Sequence, residues 1–517
     1  MQTNFERTTV SRRLGFGLGI SIFKMIARSS YTVLLVPLFL RAWGPDTYGR
    51  WLALTAILAY ITLLNFGGQS YIGNLLTLDV AHKDTEGYKR HLSEAMSFFI
   101  LMSVVVLCGL GLLMMLPQLR LPGIQGVLTL SDRLVLFFIG GNLVLAITTG
   151  VYITNYQSHG MWNRSNVVYT LVEFISVAIR ASVLLLALPP AVFAAVYFIV
   201  HCVHILIMVW DVRRTVPLAR SFTFSFQAAR QGIRHLRGSM FFWLITFALA
   251  INDQGVVLVA SEGLGAVAVS LFVTHRIVAN FLTYPMNIVR GPLQPELTRL
   301  AGQGRIAELQ RVMLFSVRLM SLISLGMAIG IYVWIPTIYP LWTDNTLDLM
   351  SGLLLIMLGQ MVLRAGWQTA GWGNLAANAH RGVASAQFVN AILTVLLALL
   401  FLPIYGLVGV ALASLLGDIA CSLTMYPFFA SRLTKVSSVR IYGAMLRSWL
   451  AAIPLIVVIA ISRTLFDDDV SWRFAATLIG FVFLYPTFLL SLGSRETHRV
   501  LYAVASRLKL LAKRKQK

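Results

Sequence analysis

Acidic residues are scarce in this chain. Its 517 residues include only 20 Asp and Glu against 42 Lys and Arg, and charged residues of both signs make up 12% of the whole. A soluble domain carries about 25%, so a soluble enzyme, a disordered chain and a collagen-like fibre are excluded. Cysteine is scarcer still. Cys108, Cys202 and Cys421 lie inside apolar runs with no CxxC or Cys/His cluster nearby, which excludes a disulfide framework or a zinc site and leaves small buried side chains. The phosphate-cradling pattern GxxxxGK[ST] is absent, so no nucleotide-driven pump is encoded. HExxH and GxSxG are absent too, and no loop carries an exposed carboxylate pair. Chemistry on a substrate has no obvious home, and the chain reads as no enzyme.

Apolar residues are what remains, at 57%. A helix that crosses a bilayer needs about 20 of them in succession. Fourteen such stretches occur: 14–40, 51–77, 93–116, 134–156, 166–188, 191–210, 239–260, 265–289, 312–338, 347–374, 383–402, 405–430, 445–462 and 473–492. Unpaired backbone is not tolerated in hydrocarbon, so long runs of this kind are helices; a barrel would show short alternating segments. The first run follows Arg12 and Arg13 but is far longer than a signal-peptide core of roughly 7–15 residues, and it reads as a retained span. The fold class is an all-α polytopic membrane protein with about 14 transmembrane helices.

Lys and Arg fix the expected orientation. With the N-terminus placed in the cytoplasm, 30 of them fall on inner segments, six on outer loops (Arg41, Arg50, Arg120, Arg133, Arg463 and Arg473) and six inside spans. Both termini are then cytoplasmic. The longest inner connection, 211–238, mixes Phe with Arg and reads as an interfacial helix or bent linker. The tail from 495 to 517 sets Leu501, Val504, Leu508 and Leu511 beside Lys and Arg, an amphipathic pattern suited to anionic lipid. Basic residues spread over many inner loops do not suit nucleic acid.

The second half echoes the first at an offset near 220 residues. Inner loops at 78–92, 157–165 and 211–238 correspond to 290–311, 375–382 and 431–447, and Gly44 and Gly49 correspond to Gly263 and Gly265. Six helices per repeat is an even number, so both enter the membrane with the same polarity, as in transporters built from parallel repeats. The expected organisation is an N-lobe at 1–222, a C-lobe at 223–438, two extra spans at 439–494 and the basic tail at 495–517.

Charge inside a span is costly and faces a cavity or a partner. The basic residues there are Lys24, Arg28, Arg180, Arg276, Arg318 and Arg364; the acidic ones are Glu173, Asp253 and Asp418. Lys24 and Arg28 are i and i+4, hence on one helix face. Asn252 adjoins Asp253, and Asn280 and Thr283 extend the face of Arg276. A hydrated, cationic cavity near the bilayer midplane follows, and guanidinium forks match phosphate oxygens. Lys24, Arg28, Arg276, Arg318 and Arg364 are the candidate substrate contacts. Asp253, Asn252, Glu173 and Asp418 are the candidate coupling groups for H⁺ or Na⁺; no other cofactor or metal is expected. Each has a bland reading as well. Glu173 and Arg180, at i and i+7, suit an internal pair; Arg318 could snorkel; Asp418 could bond a neighbouring helix; His201 and His204 could be packed polar residues.

RAWGPDTYGRW, then ITLLNFGG, and later ASEGLGAVAVSLFVTHRIVANFLTYPMNIVRGPLQPELTRLAGQGR resemble the corresponding stretches of bacterial O-antigen and exopolysaccharide flippases. These belong to the multidrug/oligosaccharidyl-lipid/polysaccharide exporter superfamily. The resemblance implies two six-helix lobes in a V, with spans 1, 2, 7 and 8 lining the cavity and spans 13 and 14 outside them. It implies an inner-membrane protein that moves a polyprenyl-pyrophosphate-linked glycan outward for surface polysaccharide biosynthesis, with membrane lipids, a polysaccharide polymerase and other assembly proteins as partners. Lys24 and Arg28 match the basic positions expected on span 1. The drug-exporting branch, with twelve spans and an acidic cavity, is the alternative: a cation-coupled multidrug antiporter on the same fold.

Overall fold

The computed structural model describes residues 33–116, 118–376 and 380–451, with Ile453 and Val457. Lys24, Arg28, span 14 and the basic tail lie outside the described residues, as does half of span 13. The helices are α1 Val33–Asn65, α2 Gly68–His82, α3 Thr85–Met114, α4 Leu130–Ser158, α5 Trp162–Leu185, α6 Pro190–Thr215, α7 Phe226–Gly232, α8 Leu236–Ala250, α9 Val256–Asn280, α10 Thr283–Gly302, α11 Ile306–Trp342, α12 Ser351–Ala376, α13 His380–Gly417, α14 Leu423–Thr434 and α15 Ser438–Ala451. No strand occurs among the described residues.

Among the described residues, eight helical segments are long and apolar enough to cross a membrane. Three of them hold a backbone turn at a glycine with positive φ: Gly44 (73°), Gly265 (82°) and Gly406 (56°). L-residues with a Cβ resist that region, so a glycine there lets a helix stop and restart without a loop. The side chains show the reversal. Phe39 and Trp51 are 12 residues apart, about 18 Å along a straight helix, yet their rings lie 6.2 Å apart. These three segments break where the sequence places the boundaries within span pairs 1–2, 7–8 and 11–12. α11 holds no such glycine and runs unbroken for 37 residues.

The polar inner loops expected at 78–92 and 290–311 are mostly helix. Only Lys83 and Asp84 separate α2 from α3, and Gln303–Arg305 separate α10 from α11. Apolarity marks the part of a helix in hydrocarbon; the helix itself continues until a cap ends it. Asp84 accepts the Gly87 amide at the start of α3 (2.8 Å), and Thr129 with Asp132 forms a reciprocal capping box on α4. The long linker contains a 3₁₀ turn, Pro217–Ser221, and the short helix α7, started by Ser225.

The described residues form two compact units. One comprises the chain up to Thr274 with Pro340–Asp348 and Gln387–Ser414; the other comprises His275–Tyr339, Leu349–Ala386 and the chain from Leu415. In the first, Leu76, Tyr88, Leu92, Val151, Tyr156, Met208 and Val212 make a core where α2, α3, α4 and α6 meet. In the second, α10, α11 and α12 meet around Leu300, Leu309, Met320 and Trp372. Large apolar side chains also face outward, among them Leu171, Ile175, Ile199, Val203 and Leu206, as a surface solvated by lipid requires.

Candidate functional site

The first unit gathers an unusual set of connections. It holds the turn at Gly44, the loop between α3 and α4, the turn between α5 and α6, the turn at Gly265, the segment Pro340–Asp348 and the turn at Gly406. The charge count assigns all six to the outer face. They are tied to one another directly. Trp43 Nε1 donates to Leu188 O (2.8 Å) and Trp342 Nε1 to Val33 O (2.7 Å). Ser270 Oγ donates to Pro45 O (2.6 Å). Glu262 accepts the Gly123 amide (2.7 Å). Leu402 sits against Gly263, where a Cβ would lie 2.2 Å from its Cδ2.

Two arginines that the sequence places on outer loops complete this closure. Arg41 donates from Nε and Nη2 to both oxygens of Asp344, each at 2.9 Å. Arg50 holds Asp132 in the same way, at 2.9 and 2.8 Å, and also donates to Gln125 O (3.1 Å). The Arg41 guanidinium keeps the Asp344 carboxyl below its usual 3.8, through the hydrogen bonds first and charge second. The lowered value means that the pair is fully charged at neutral pH and is lost only as pH falls through it. Arg41 and Asp344 are 303 residues apart, so no local pattern could reveal the match. The available signal is coarser: outer loops nearly bare of charge keep Asp132, Glu262 and Asp344 beside their few arginines.

The intramembrane charges fall into separate groups. Arg180, almost fully buried, donates from Nη2 to Glu173 Oε1 (2.7 Å), and its Cζ lies 4.4 Å from the Tyr197 ring; the internal pair suggested by the i, i+7 spacing is formed. His201 and His204 lie on α6 with Nε2 atoms that have no hydrogen-bond partner. Asp418 is 1% exposed, accepts Gln360 Nε2 (2.8 Å) and lies 3.7 Å from Arg364 Nε. A candidate substrate contact and a candidate coupling acid thus neutralise each other. Arg318 is half-buried on α11 with a buried Nε that makes no hydrogen bond. Arg276 is half-buried on α9. Its neighbour His275 accepts the Met350 amide at Nε2 (2.9 Å), so its Nδ1 carries the proton and donates to the Tyr339 hydroxyl (3.2 Å). That satisfied, neutral histidine is a structural strut.

Asn252 and Asp253 lie in a π-helical turn, Ile251–Gly255, between α8 and α9; Asn252 is buried and Asp253 exposed. Asp418 opens a second π turn, Asp418–Ser422, between α13 and α14. Turns of this type are rare and concentrate at functional positions. Gly255 permits close approach: a Cβ there would lie 2.9 Å from Val395 and 3.8 Å from the Tyr60 hydroxyl. The π turn carrying Asp253 is thereby walled by α1 and α13.

Solved structures share this architecture. A lipid II flippase, MurJ, in an inward closed conformation superposes with a TM-score of 0.69 at 14% identity, over 93% of this chain and 100% of that one. An inward-facing multidrug resistance MATE family transporter of the MOP superfamily gives 0.66 at 14% identity, over 80% of this chain and 96% of that one. A MOP superfamily transporter from Pyrococcus furiosus gives 0.54 at 13% identity, over 82% of this chain and 94% of that one. The fold is that of the MOP-superfamily transporters. No family model matches the sequence, and no curated protein matches it. The chain is an all-α, multi-pass membrane protein.

Proposed function

We propose that this protein is a flippase that carries a polyprenyl-pyrophosphate-linked oligosaccharide from the cytoplasmic to the periplasmic leaflet of a bacterial inner membrane, for cell-surface polysaccharide biosynthesis. One observation carries the reading: the sign of the intramembrane charge. The interiors of the spans expected from the sequence hold six basic residues, Lys24, Arg28, Arg180, Arg276, Arg318 and Arg364, against three acidic ones, Glu173, Asp253 and Asp418; Glu173 pairs with Arg180 and Asp418 with Arg364, and a basic excess of three remains. A cavity with that excess suits an anionic head group, whose oxygens exchange water for guanidinium donors. The isoprenoid tail would stay in lipid. The MurJ superposition takes in more of this chain than the MATE one, and the extra share is about the length of two spans with their connections.

Release outside requires the outer closure to open, because hydrogen bonds, two ion pairs and the Leu402–Gly263 contact tie all six outer connections together. Asp253, exposed in its π turn, is the group that would take H⁺ or Na⁺ to drive the cycle. The closure gives a direct test. In a background without Cys108, Cys202 and Cys421, Arg41→Cys with Asp344→Cys joined by a short bismaleimide should stop flux, while either single cysteine treated alike keeps it. Unchanged flux through the cross-linked protein would show that these ends need not part.

The multidrug antiporter is the second reading, favoured by the MATE superposition. Proteoliposomes separate the two. The flippase reading expects a fluorescent polyprenyl-pyrophosphate glycan to become accessible on the far leaflet, with the rate falling when the ion gradient collapses or Asp253 becomes Asn. Movement of cationic dyes with no movement of the glycan would decide for the antiporter.

A further inference from the structure

The inner end of α6 carries a second basic site that transport does not use. Arg213 and Arg214 form its last turn, and the 3₁₀ turn that follows brings Arg220 back so that its Nε donates to Arg213 O (2.7 Å). Carbonyls at a helix C-terminus attract cations, which explains why Arg220 folds back but not why three guanidiniums share one place. They surround a cavity of about 670 Å³ whose other walls are Leu206, Val209 and Trp210. The only carboxylate on this turn, Asp211, is already occupied: Arg164 Nε donates to it (2.9 Å), as does the Tyr156 hydroxyl. Among the described residues, none of the three cavity arginines donates to a carboxylate. Asp211 feels the charge of Arg214 and Tyr152 interacts with Arg213, but one carboxylate shared with Arg164 does not balance three guanidiniums; the remaining like charges repel, and an external anion relieves that.

The walls say which kind of anion. Leu206 is 69% exposed and Trp210 60% exposed on the outward face of α6, and Arg214 Cζ lies 5.4 Å from the Trp210 ring. From Leu206 to Arg213 the helix rises roughly 10 Å, passing from an aliphatic surface through an indole to guanidinium groups. A bilayer shows the same order, from acyl chain through interface to phosphate. Phe224 and Phe226, both exposed beyond Arg220 with rings 5.5 Å apart, add apolar surface to the same linker. A free phosphate would need no Leu206 or Trp210.

We propose that this cavity binds the phosphate of an anionic glycerophospholipid, Arg213, Arg214 and Arg220 holding the head group while an acyl chain lies along Leu206 and Trp210. It anchors the linker that joins the two sequence repeats to the leaflet, and it does so whatever cargo the protein carries.

Native mass spectrometry of the full chain, purified from nanodiscs of phosphatidylglycerol or phosphatidylcholine, tests this. The parent should retain phosphatidylglycerol at least roughly tenfold better than phosphatidylcholine. Replacing all three arginines by glutamine should cut that preference several-fold, and replacing them by lysine should keep most of it. Equal retention of the two lipids by the parent would overturn the proposal without need of any variant, as would undiminished preference in the glutamine variant. Displacement of the lipid by millimolar inorganic phosphate or pyrophosphate would show a plain anion site. Stronger retention of polyprenyl pyrophosphate than of phosphatidylglycerol would give the cavity to the cargo. Either result would also defeat the lipid assignment.

Discussion

Asp132→Ala is expected to lower the unfolding temperature of the detergent-purified protein by about 5 °C or more. The carboxylate is 6% exposed and performs two tasks at once. Its Oδ1 and Oδ2 take the Arg50 fork, and Oδ2 also accepts the Thr129 amide (2.8 Å) and hydroxyl (2.7 Å). Losing a helix cap costs about 1 kcal/mol. Removing one partner of a buried pair costs about 3–5 kcal/mol. Arg50 is partly exposed and keeps its carbonyl acceptors, so the lower end of that range applies, for a sum near 3–4 kcal/mol. At about 2 °C per kcal/mol for a large domain, the shift is easily resolved. Asp132→Asn keeps an oxygen for Thr129 and should recover part of the loss. Arg50→Ala and the double variant close a thermodynamic cycle; additive effects would show that the pair contributes nothing of its own.

The crossing pattern was legible because bilayer thickness fixes the length of an apolar run, and the turns at Gly44 and Gly265 stand among polar residues that interrupt it. The turn at Gly406 lies in LLFLPIYGLVGV, where only Pro403 hints at a break. Helix ends were not legible. Hydropathy falls at the membrane surface, whereas α3 and α11 continue beyond it until Asp84 and the Gln303–Arg305 turn end them.

Intramembrane charge divides in the same way. Glu173 and Arg180 share one helix, so their spacing announces the pair. Arg364 and Asp418 sit on different helices, 54 residues apart, and only the fold brings them together. The π turns leave no trace in composition, since one extra residue per turn changes neither hydropathy nor spacing enough to see. Arg41 and Arg50 looked like stray outer charges; their partners are set by tertiary contact alone. The result is a site whose charge types could be read from sequence while its pairings could not.

Arg28→Ala should remove nearly all glycan flux. Glu173 and Asp418 each lie beside an arginine, and basic residues outnumber acidic ones in the interiors of the expected spans. Lys24 and Arg28 stand four residues apart in sequence, the spacing that would set them on one helix face, and a bidentate guanidinium on a pyrophosphate, shielded from bulk water, contributes about 3 kcal/mol. That corresponds to roughly a hundredfold in rate or affinity. Arg28→Lys keeps the charge and loses the fork, so about a tenth of the flux should survive, and higher cargo concentration should restore part of it. Arg120→Ala, at an exposed position between α3 and α4, should leave flux unchanged and serves as the control for expression and insertion. Parental flux from Arg28→Ala at a parental membrane level would mean that phosphate is not held there. A fall in Arg28→Ala with no difference between alanine and lysine would mean that geometry rather than charge is lost, because only an electrostatic contact distinguishes those two side chains in this order.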